Sequence, residues 1–166
     1  GVDTTRAQLP LILNAFLDHP QEWDKLRADP GLAGRAVDEG MRFAPLPWVI
    51  PHRATRDMIY QDIAFAEGDL AFVMVPAANR DPSATERPDE FIIDRAPARH
   101  FAFGAGMHSC PGAHLAKMEM SMALLGLLEA CADIQRAAPP EWEPGQEGRI
   151  LRRLDITIRK IKPLHG

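Results

Sequence analysis

The residues most able to do chemistry lie in one short stretch around Cys110. Residues 100–112 read His-Phe-Ala-Phe-Gly-Ala-Gly-Met-His-Ser-Cys-Pro-Gly. The glycines can take the positive φ angles of a tight loop, and Pro111 before an apolar stripe predicts that a helix begins there. Cys110 would then lie at a helix N-terminus, where the helix dipole and free N–H groups favour thiolate over thiol. The stretch therefore predicts an anionic sulfur able to ligate a metal ion.

Two other interpretations of this cysteine remain open from the residues alone. A glycine loop with a buried free cysteine would look similar, because unliganded cysteines often pack as small hydrophobic residues. A zinc site is the other, since His100, His108 and His114 crowd around Cys110. That site lacks the second paired cluster of a structural zinc centre. Cys131 follows an apolar helix and is expected in the core.

The pattern Phe-Gly-x-Gly-x-His-x-Cys-x-Gly over 103–112 resembles the cysteine-loop signature of the cytochrome P-450 family, the haem-thiolate monooxygenases. The resemblance implies that Cys110 is the axial thiolate ligand to the iron of haem b (iron protoporphyrin IX). It places two residues at the haem propionates, carboxylates that favour arginine and histidine donors. The implied haem-binding residues, the last two of them at the propionates, are Phe103, Gly104, Gly112, Arg53 and His108.

An acidic and a basic residue that precede the loop in the sequence are expected on one face of a helix. Glu39 and Arg42 are three residues apart and can pair on a helix. The resemblance implies that they form the Glu-x-x-Arg motif, a structural brace on the proximal side of the haem. The family often completes this brace with an arginine in a Pro-x-Arg-Phe segment. Here Glu90 stands at that position, which leaves Arg80 and Arg95 as candidates for the third member.

The first five residues, Gly-Val-Asp-Thr-Thr, resemble a segment of the family's long oxygen-activating helix. An acid and an alcohol on one helical turn can relay protons from water, so Asp3 and Thr4 would be the catalytic residues. From the residues alone, a helix N-cap is the other interpretation, because Asp and Thr are favoured there.

The resemblance further implies a small apolar organic substrate, dioxygen, and a ferredoxin-type or flavoprotein electron donor. Lys117, Arg95 and Arg99 are candidate cations for docking the donor. Pro111 has no N–H to donate to sulfur, so we expect an electron-rich thiolate and a lowered iron reduction potential. The candidate substrate-pocket residues are Pro47, Trp48, Val49, Ile150 and Leu151.

The elements that must position these residues are mostly helical. The pattern predicts a mainly α chain with a small β sheet, and the resemblance implies the C-terminal portion of the cytochrome P-450 fold. A length of 166 residues, 46% hydrophobic and 25% charged, is typical of a globular protein. The net charge of -4 argues against nucleic-acid binding. No apolar run is long enough to span a bilayer, and we expect a cytoplasmic protein.

The whole chain, 1–166, is expected to be one C-terminal fragment of a single cytochrome P-450 domain. A short helix is expected at Pro20–Ala28, and residues 137–148 read as a surface loop because they are rich in Pro, Gly and Glu. The other predicted segments are an oxygen-helix remnant at 1–19, a Glu-x-x-Arg helix at about 31–44, a β-rich region at 48–75, the cysteine loop at 100–112, the cysteine helix at 111–130 and a C-terminal β segment at 149–162.

One apolar stripe is expected to bury a face of the cysteine helix, because its members recur three and four residues apart. The stripe consists of Leu115, Met118, Met122, Leu125 and Leu128.

The activity that the resemblance implies is insertion of one oxygen atom from dioxygen into an apolar substrate. The alternatives are a peroxide-driven peroxygenase and a non-catalytic or degenerate haem-binding fragment.

Overall fold

The computed structural model describes residues 2–145 and 148–160. As the sequence predicts, the chain is mainly α with small β sheets. Short 3-10 turns lie at Pro30–Leu32 and Gly106–His108. Within the described ranges, no helix is both long enough and apolar enough to cross a membrane. The helices are α1 (Val2–Asp18), α2 (Pro20–Ala28), α3 (Ala33–Phe43), α4 (Val75–Ala78) and α5 (Ala113–Ala130). The strands are β1 (Val49–Arg53), β2 (Met58–Tyr60), β3 (Ile63–Phe65), β4 (Leu70–Met74), β5 (Cys131–Arg136), β6 (Glu141–Gly145), β7 (Gly148–Arg153) and β8 (Ile156–Lys160).

Helices α1 and α3 are in close contact because Gly40 has no side chain. A Cβ atom at Gly40 would lie 2.7 Å from Cγ1 of Ile12, a fully buried residue of α1. The buried Gln8 of α1 also fixes the end of α3. Its Nε2 donates to the Ala44 carbonyl and its Oε1 accepts from the Leu46 N–H, both at 2.8 Å. The helix that carries Glu39 is therefore held in position by α1.

Helix α2 has the bounds that the sequence predicts, since Pro20 can occupy a first helical turn. The Asp29 carboxylate accepts from the Gly31 N–H at 3.0 Å and so caps the 3-10 turn that leads into α3. The buried Glu22 accepts from the backbone N–H of Ile93 at 2.9 Å. Helix α2 thus anchors the long loop that precedes the cysteine.

The β-rich region contains two separate two-stranded antiparallel pairs. Strands β1 and β4 pair from Val49 opposite Met74 to Arg53 opposite Leu70. Strands β2 and β3 form a hairpin in the segment between them, with Met58 opposite Phe65. The sequence predicts these strands as one small sheet. In the structure the β2–β3 pair is separate from the β1–β4 pair and lies between β1 and β4 in the sequence.

The expectation of a surface loop at 137–148 is wrong in part. Strand β6 pairs with β7, and β5 pairs with the terminal strand β8. Pro144 lies in β6 opposite Arg149. A two-stranded ladder tolerates such a proline because each strand has a free edge where no N–H need be donated. A segment rich in Pro and Gly, which predicts a loop, is therefore also compatible with the β6–β7 strand pair.

Helix α5 buries a different face from the one that the stripe predicts. Both faces are apolar, so periodicity alone does not select the buried one. The buried residues are Met120, Leu124 and Leu128, which are 1%, 0% and 8% exposed. The exposed residues are Leu115, Met118 and Met122, at 55%, 55% and 64%. The stripe is therefore wrong for its first three members, whereas Leu128 and the following Cys131 lie in the core as expected.

Candidate functional site

The cysteine loop folds back on itself through glycines in left-handed conformations. Gly104 has φ +70° and Gly106 has φ +66°, values that residues with side chains rarely adopt. A Cβ at Gly104 would lie 3.4 Å from the His108 carbonyl oxygen. The Cys110 N–H donates to the Phe103 carbonyl at 2.8 Å, which closes the loop. The glycines thus bring both ends of the loop together at the cysteine.

The helix after the cysteine begins two residues later than the sequence predicts. Helix α5 starts at Ala113 with Gly112 as its N-cap, so Pro111 is not its first helical residue. The Ala116 N–H bonds to the Gly112 carbonyl at 2.9 Å, whereas the Ala113 N–H bonds to the Cys110 carbonyl at 3.3 Å in a tighter turn. The thiol therefore precedes the helix N-terminus by a turn, where the helix dipole still favours an anion but acts over a longer distance.

The surroundings of Cys110 fit a flat apolar group ligated through sulfur. The side chain is exposed, so its Sγ is open to a ligand. A Cβ at Gly112 would lie 3.9 Å from that Sγ, in ordinary van der Waals contact, so Gly112 is next to the sulfur. Nearby in the chain, Met107 is 93% exposed and Leu115 is 55% exposed. Exposed apolar residues close in sequence to an accessible thiol suit the haem that the resemblance implies.

The zinc interpretation has no ligand set. In the part of the chain that the structure describes, no three His, Cys, Asp or Glu side chains are grouped so that they could hold a metal ion. His108 and His114 are exposed, and His100 turns instead towards Asp38 of α3. The alternative of a buried free cysteine is wrong as well, because Cys110 is exposed.

The Glu-x-x-Arg pair lies in the interior and has a third member. The side chains of Glu39 and Arg42 are 3% and 1% exposed, and Arg42 Nε donates to Glu39 Oε2 at 2.8 Å. Arg95 Nε donates to Glu39 Oε1 at 3.0 Å. The same oxygen accepts from the Ile92 N–H at 2.9 Å. One buried carboxylate is thus balanced by two guanidinium groups, and Arg95 takes the place that the sequence left open.

Arg80, the other candidate, contacts different groups. Its Nη2 donates to the Phe43 carbonyl at 2.7 Å, and its guanidinium lies 5.0 Å from the centre of the Phe43 ring. Its Nε lies 3.4 Å from the Asp89 carboxylate. Burial and the neighbouring Arg42 charge lower the pKa of Arg80. Arg80 therefore secures the end of α3.

Asn79 joins the brace to the cysteine loop, a role that the sequence reasoning missed. It is 1% exposed, and its Nδ2 donates to the Arg42 carbonyl at 3.1 Å. Its Oδ1 accepts from the Phe101 N–H at 2.8 Å, and its own carbonyl accepts from Arg42 Nη1 at 3.0 Å. The segment around Asn79 resembles one common in bacterial members of the family, but no pattern in it indicates these partners.

Lys117 is held in an ion pair. Its Nζ lies 2.5 Å from Oδ1 of Asp38 on α3, and the Nε2 of His100 lies 3.5 Å from the same oxygen. Burial acts to raise the pKa of the Asp38 carboxyl, but hydrogen bonds from His100 and Lys117 outweigh it and lower the pKa below its ordinary value. His100 also accepts from the Ala102 N–H at 3.4 Å, which ties its ring to the loop backbone.

The residues predicted at the propionates and the relay lie on separate elements. Arg53 ends β1, is exposed and donates to the Gly68 carbonyl at 2.8 Å. His108 is exposed in a short 3-10 turn. Asp3 and Thr4 lie exposed in the first turn of α1. Asp3 Oδ1 is 3.4 Å from Arg6 Nη2.

Of the predicted substrate residues, one lines a cavity. A cavity of about 540 Å³ lies between α1, the end of α3, α4 and β6. Trp48 and Trp142 both line it, whereas Pro47, Val49, Ile150 and Leu151 do not. Leu151 lies opposite Trp142 in the β6–β7 pair. Trp48 is therefore the one member of the five predicted residues that lines this cavity.

Comparisons with known proteins show which proteins this chain is similar to. Polyketide biosynthesis cytochrome P450 PksS of Bacillus subtilis is 34% identical over 164 residues, which are 96% of this chain and 40% of that protein. Nocardicin C N-oxygenase of Nocardia uniformis is 34% identical over 92% of this chain and 39% of its own length. The chain thus spans about 40% of the length of the relatives it matches.

Solved structures and a family model identify the fold. P450BioI, solved in complex with an acyl carrier protein carrying hexadec-9Z-enoic acid, superposes with a TM-score of 0.90 at 32% identity. It covers 95% of this chain, which corresponds to 41% of that structure. The family model described as Cytochrome P450 matches residues 31–142, which include the Glu39–Arg42 pair and the whole cysteine loop. The chain therefore belongs to the cytochrome P450 family.

Proposed function

We propose that this chain is the haem-binding portion of a monooxygenase and that Cys110 supplies the axial thiolate. The observation that carries the proposal is an exposed thiol next to Gly112, on a loop that turns at Gly104 and is closed by the bond between Cys110 N–H and the Phe103 carbonyl. Bound haem supplies the iron at which dioxygen is reduced and activated. By the resemblance, Phe103, Gly104 and Gly112 would hold the flat group next to the sulfur.

The proposed charge partners of the haem carboxylates are Arg53 and His108. Both side chains are exposed in the present structure, so both are accessible to an anionic group. The Arg53 guanidinium uses Nη1 on the Gly68 carbonyl and has further donors for a carboxylate. The brace residues affect the haem site indirectly, because they fix α3 against the loop that leads to the cysteine. These residues are Glu39, Arg42 and Arg95.

Proton delivery is assigned to Asp3 and Thr4. Both are exposed in the first turn of α1, so solvent water can reach both side chains. A carboxyl that takes up a proton from water can then donate it to a hydroxyl within hydrogen-bonding distance. The Asp3 carboxylate also meets Arg6, which keeps a positive charge near the acid. Proton transfer towards reduced dioxygen is what would separate monooxygenation from release of peroxide.

We assign a small apolar organic molecule as the substrate and a ferredoxin-type or flavoprotein donor as the source of electrons. The apolar candidates Pro47, Trp48, Val49, Ile150 and Leu151 support the substrate class. Trp48 has the strongest support, because it lines the cavity of about 540 Å³.

A second candidate is a haem-binding portion without turnover. Helix α5 exposes Leu115, Met118 and Met122, an apolar face of a kind that folded proteins normally cover. The chain also spans only about 40% of the length of its relatives. Both observations favour a portion that needs further covering surface before it can turn over.

The test uses this chain loaded with haem, NADPH, a ferredoxin with its reductase, a panel of apolar substrates and isotopically labelled dioxygen. Monooxygenation predicts one labelled oxygen atom in the product. Thr4→Ala should divert dioxygen to hydrogen peroxide, whereas Thr157→Ala, at an exposed position of β8, should change nothing. Haem binding without product supports the second candidate, and turnover with peroxide alone supports a peroxygenase.

A further inference from the structure

A charged cluster lies between α3, α5 and the start of the cysteine loop. Asp38 of α3 is 43% exposed, and its Oδ1 lies 2.5 Å from the Nζ of Lys117, which is 36% exposed. The His100 ring is 7% exposed and brings its Nε2 to 3.5 Å from the same oxygen. His100 Nδ1 accepts from the Ala102 N–H at 3.4 Å, so Nε2 is the ring nitrogen that faces Asp38. One carboxylate thus binds groups from two other segments.

Both partners of Asp38 lie against the ring of Phe103. The Lys117 ammonium is 5.8 Å from the ring centre, within the range of a cation–π interaction. The His100 ring centre is 5.9 Å away. Phe103 in turn accepts the Cys110 N–H at 2.8 Å through its carbonyl. A short series of contacts therefore runs from Asp38 to the backbone of the cysteine.

The cluster also sets the local charge on the side of α3 that faces α5. Glu39, the next residue along α3, is already balanced by two arginines of the brace. Asp38 is what balances Lys117 in the cluster. Removal of the Asp38 charge would leave the Lys117 cation uncompensated beside Phe103, and removal of the Lys117 charge would do the opposite.

We propose that Asp38 is a positioning residue for the cysteine ligand. Through Lys117 and His100 it holds Phe103, whose carbonyl fixes the backbone of Cys110, and it neutralises the cation nearest that ring. The part of this inference that concerns iron rests on the proposed function of Cys110, whereas the part that concerns the loop backbone does not.

The backbone part is tested on the chain without haem by amide hydrogen exchange. Asp38→Asn should speed exchange of the Cys110 N–H by about tenfold, because the bond to Phe103 opens more often. Lys117→Gln should speed exchange of the Cys110 N–H in the same way, and it serves as the second variant if Asp38→Asn does not fold. Asp38→Glu should restore slow exchange, and Glu119→Gln, at an exposed position of α5, is the matched control. Unchanged exchange in both Asp38→Asn and Lys117→Gln would overturn the proposal.

The charge part is tested by potentiometry on the same variants loaded with haem. Asp38→Asn should raise the iron reduction potential, Lys117→Gln should lower it, and the double variant should return towards the parent value. A role in packing alone would move both single variants in one direction, which would refute the assignment. Failure of the parent chain to bind haem would count against the proposed function, and the exchange measurement would still decide the role of Asp38.

Discussion

Replacement of Glu39 by Gln removes the one charge that balances two arginines in the interior. The Glu39 carboxylate accepts from Arg42 Nε at 2.8 Å, Arg42 Nη2 at 3.0 Å, the Ile92 N–H at 2.9 Å and Arg95 Nε at 3.0 Å. A glutamine amide retains one acceptor oxygen but turns an N–H₂ group towards a guanidinium. The Arg42 cation, 1% exposed, is then left buried beside a donor.

Breaking a buried ion pair from one side costs about 3–5 kcal/mol, because the remaining charge is not compensated. The total stability of a domain is only about 5–15 kcal/mol, so Glu39→Gln should remove a large share of it. The carbonyls of Asn79, Pro88 and Glu90 also accept from Arg42. These bonds satisfy the guanidinium as a donor but supply no opposite charge, so we expect the loss to stay in this range.

The assay is urea unfolding of the parent chain and the variant, followed by far-ultraviolet circular dichroism. The matched control is Glu90→Gln, because Arg87 and Glu90 form a pair with the same three-residue spacing at 3.2 Å but with side chains 64% and 56% exposed. That control should lose less than about 1 kcal/mol. A loss in Glu39→Gln no larger than in the control would refute the reasoning about the brace.

Four further substitutions test other parts of the structure. Gly40→Ala should destabilise the chain by about 1–3 kcal/mol through contact with α1, whereas Gly126→Ala, in an open position of α5, should stabilise it by about 0.5–1 kcal/mol; thermal unfolding of both variants measures the difference. Asp38→Asn should reduce stability at neutral pH and match the parent chain in acid. The reason is that a carboxyl whose pKa is lowered from 3.8 loses its contribution as the pH falls through the folded-state pKa, and urea unfolding across pH checks this. Pro111→Leu should raise the iron reduction potential of the haem-loaded chain, because a new N–H can donate towards sulfur; a potential that is unchanged or lower would contradict this.

Local signals in the sequence were enough to predict some elements but not their packing. The bounds of α2 follow from Pro20 at its start and Pro30 just after its end. The buried face of α5 did not follow, because Met118 and Met122 recur with the same period as Met120 and Leu124. Only contact with α1 and α3 decides which face is covered, and that contact is tertiary.

The candidate site shows the same division. Cys110, Glu39 and Arg42 lie in short motifs with characteristic spacing, so the sequence alone could indicate them. Arg95 reaches Glu39 across 56 positions of chain, and Asn79 reaches Phe101 across 22. No sequence periodicity links residues so far apart. The long loop anchored by α2 brings them together, and that contact is tertiary.

The central claim is that the Cys110 thiolate ligates haem iron. The most direct measurement is the carbon monoxide difference spectrum of the reduced, haem-loaded chain beside its Cys110→Ser variant, with Cys131→Ser as the control for the other, buried cysteine. Thiolate ligation predicts a Soret band at about 450 nm in the parent chain and in Cys131→Ser, and its loss in Cys110→Ser. A band that persists without Cys110, or haem bound by the parent chain with no such band, would contradict the claim.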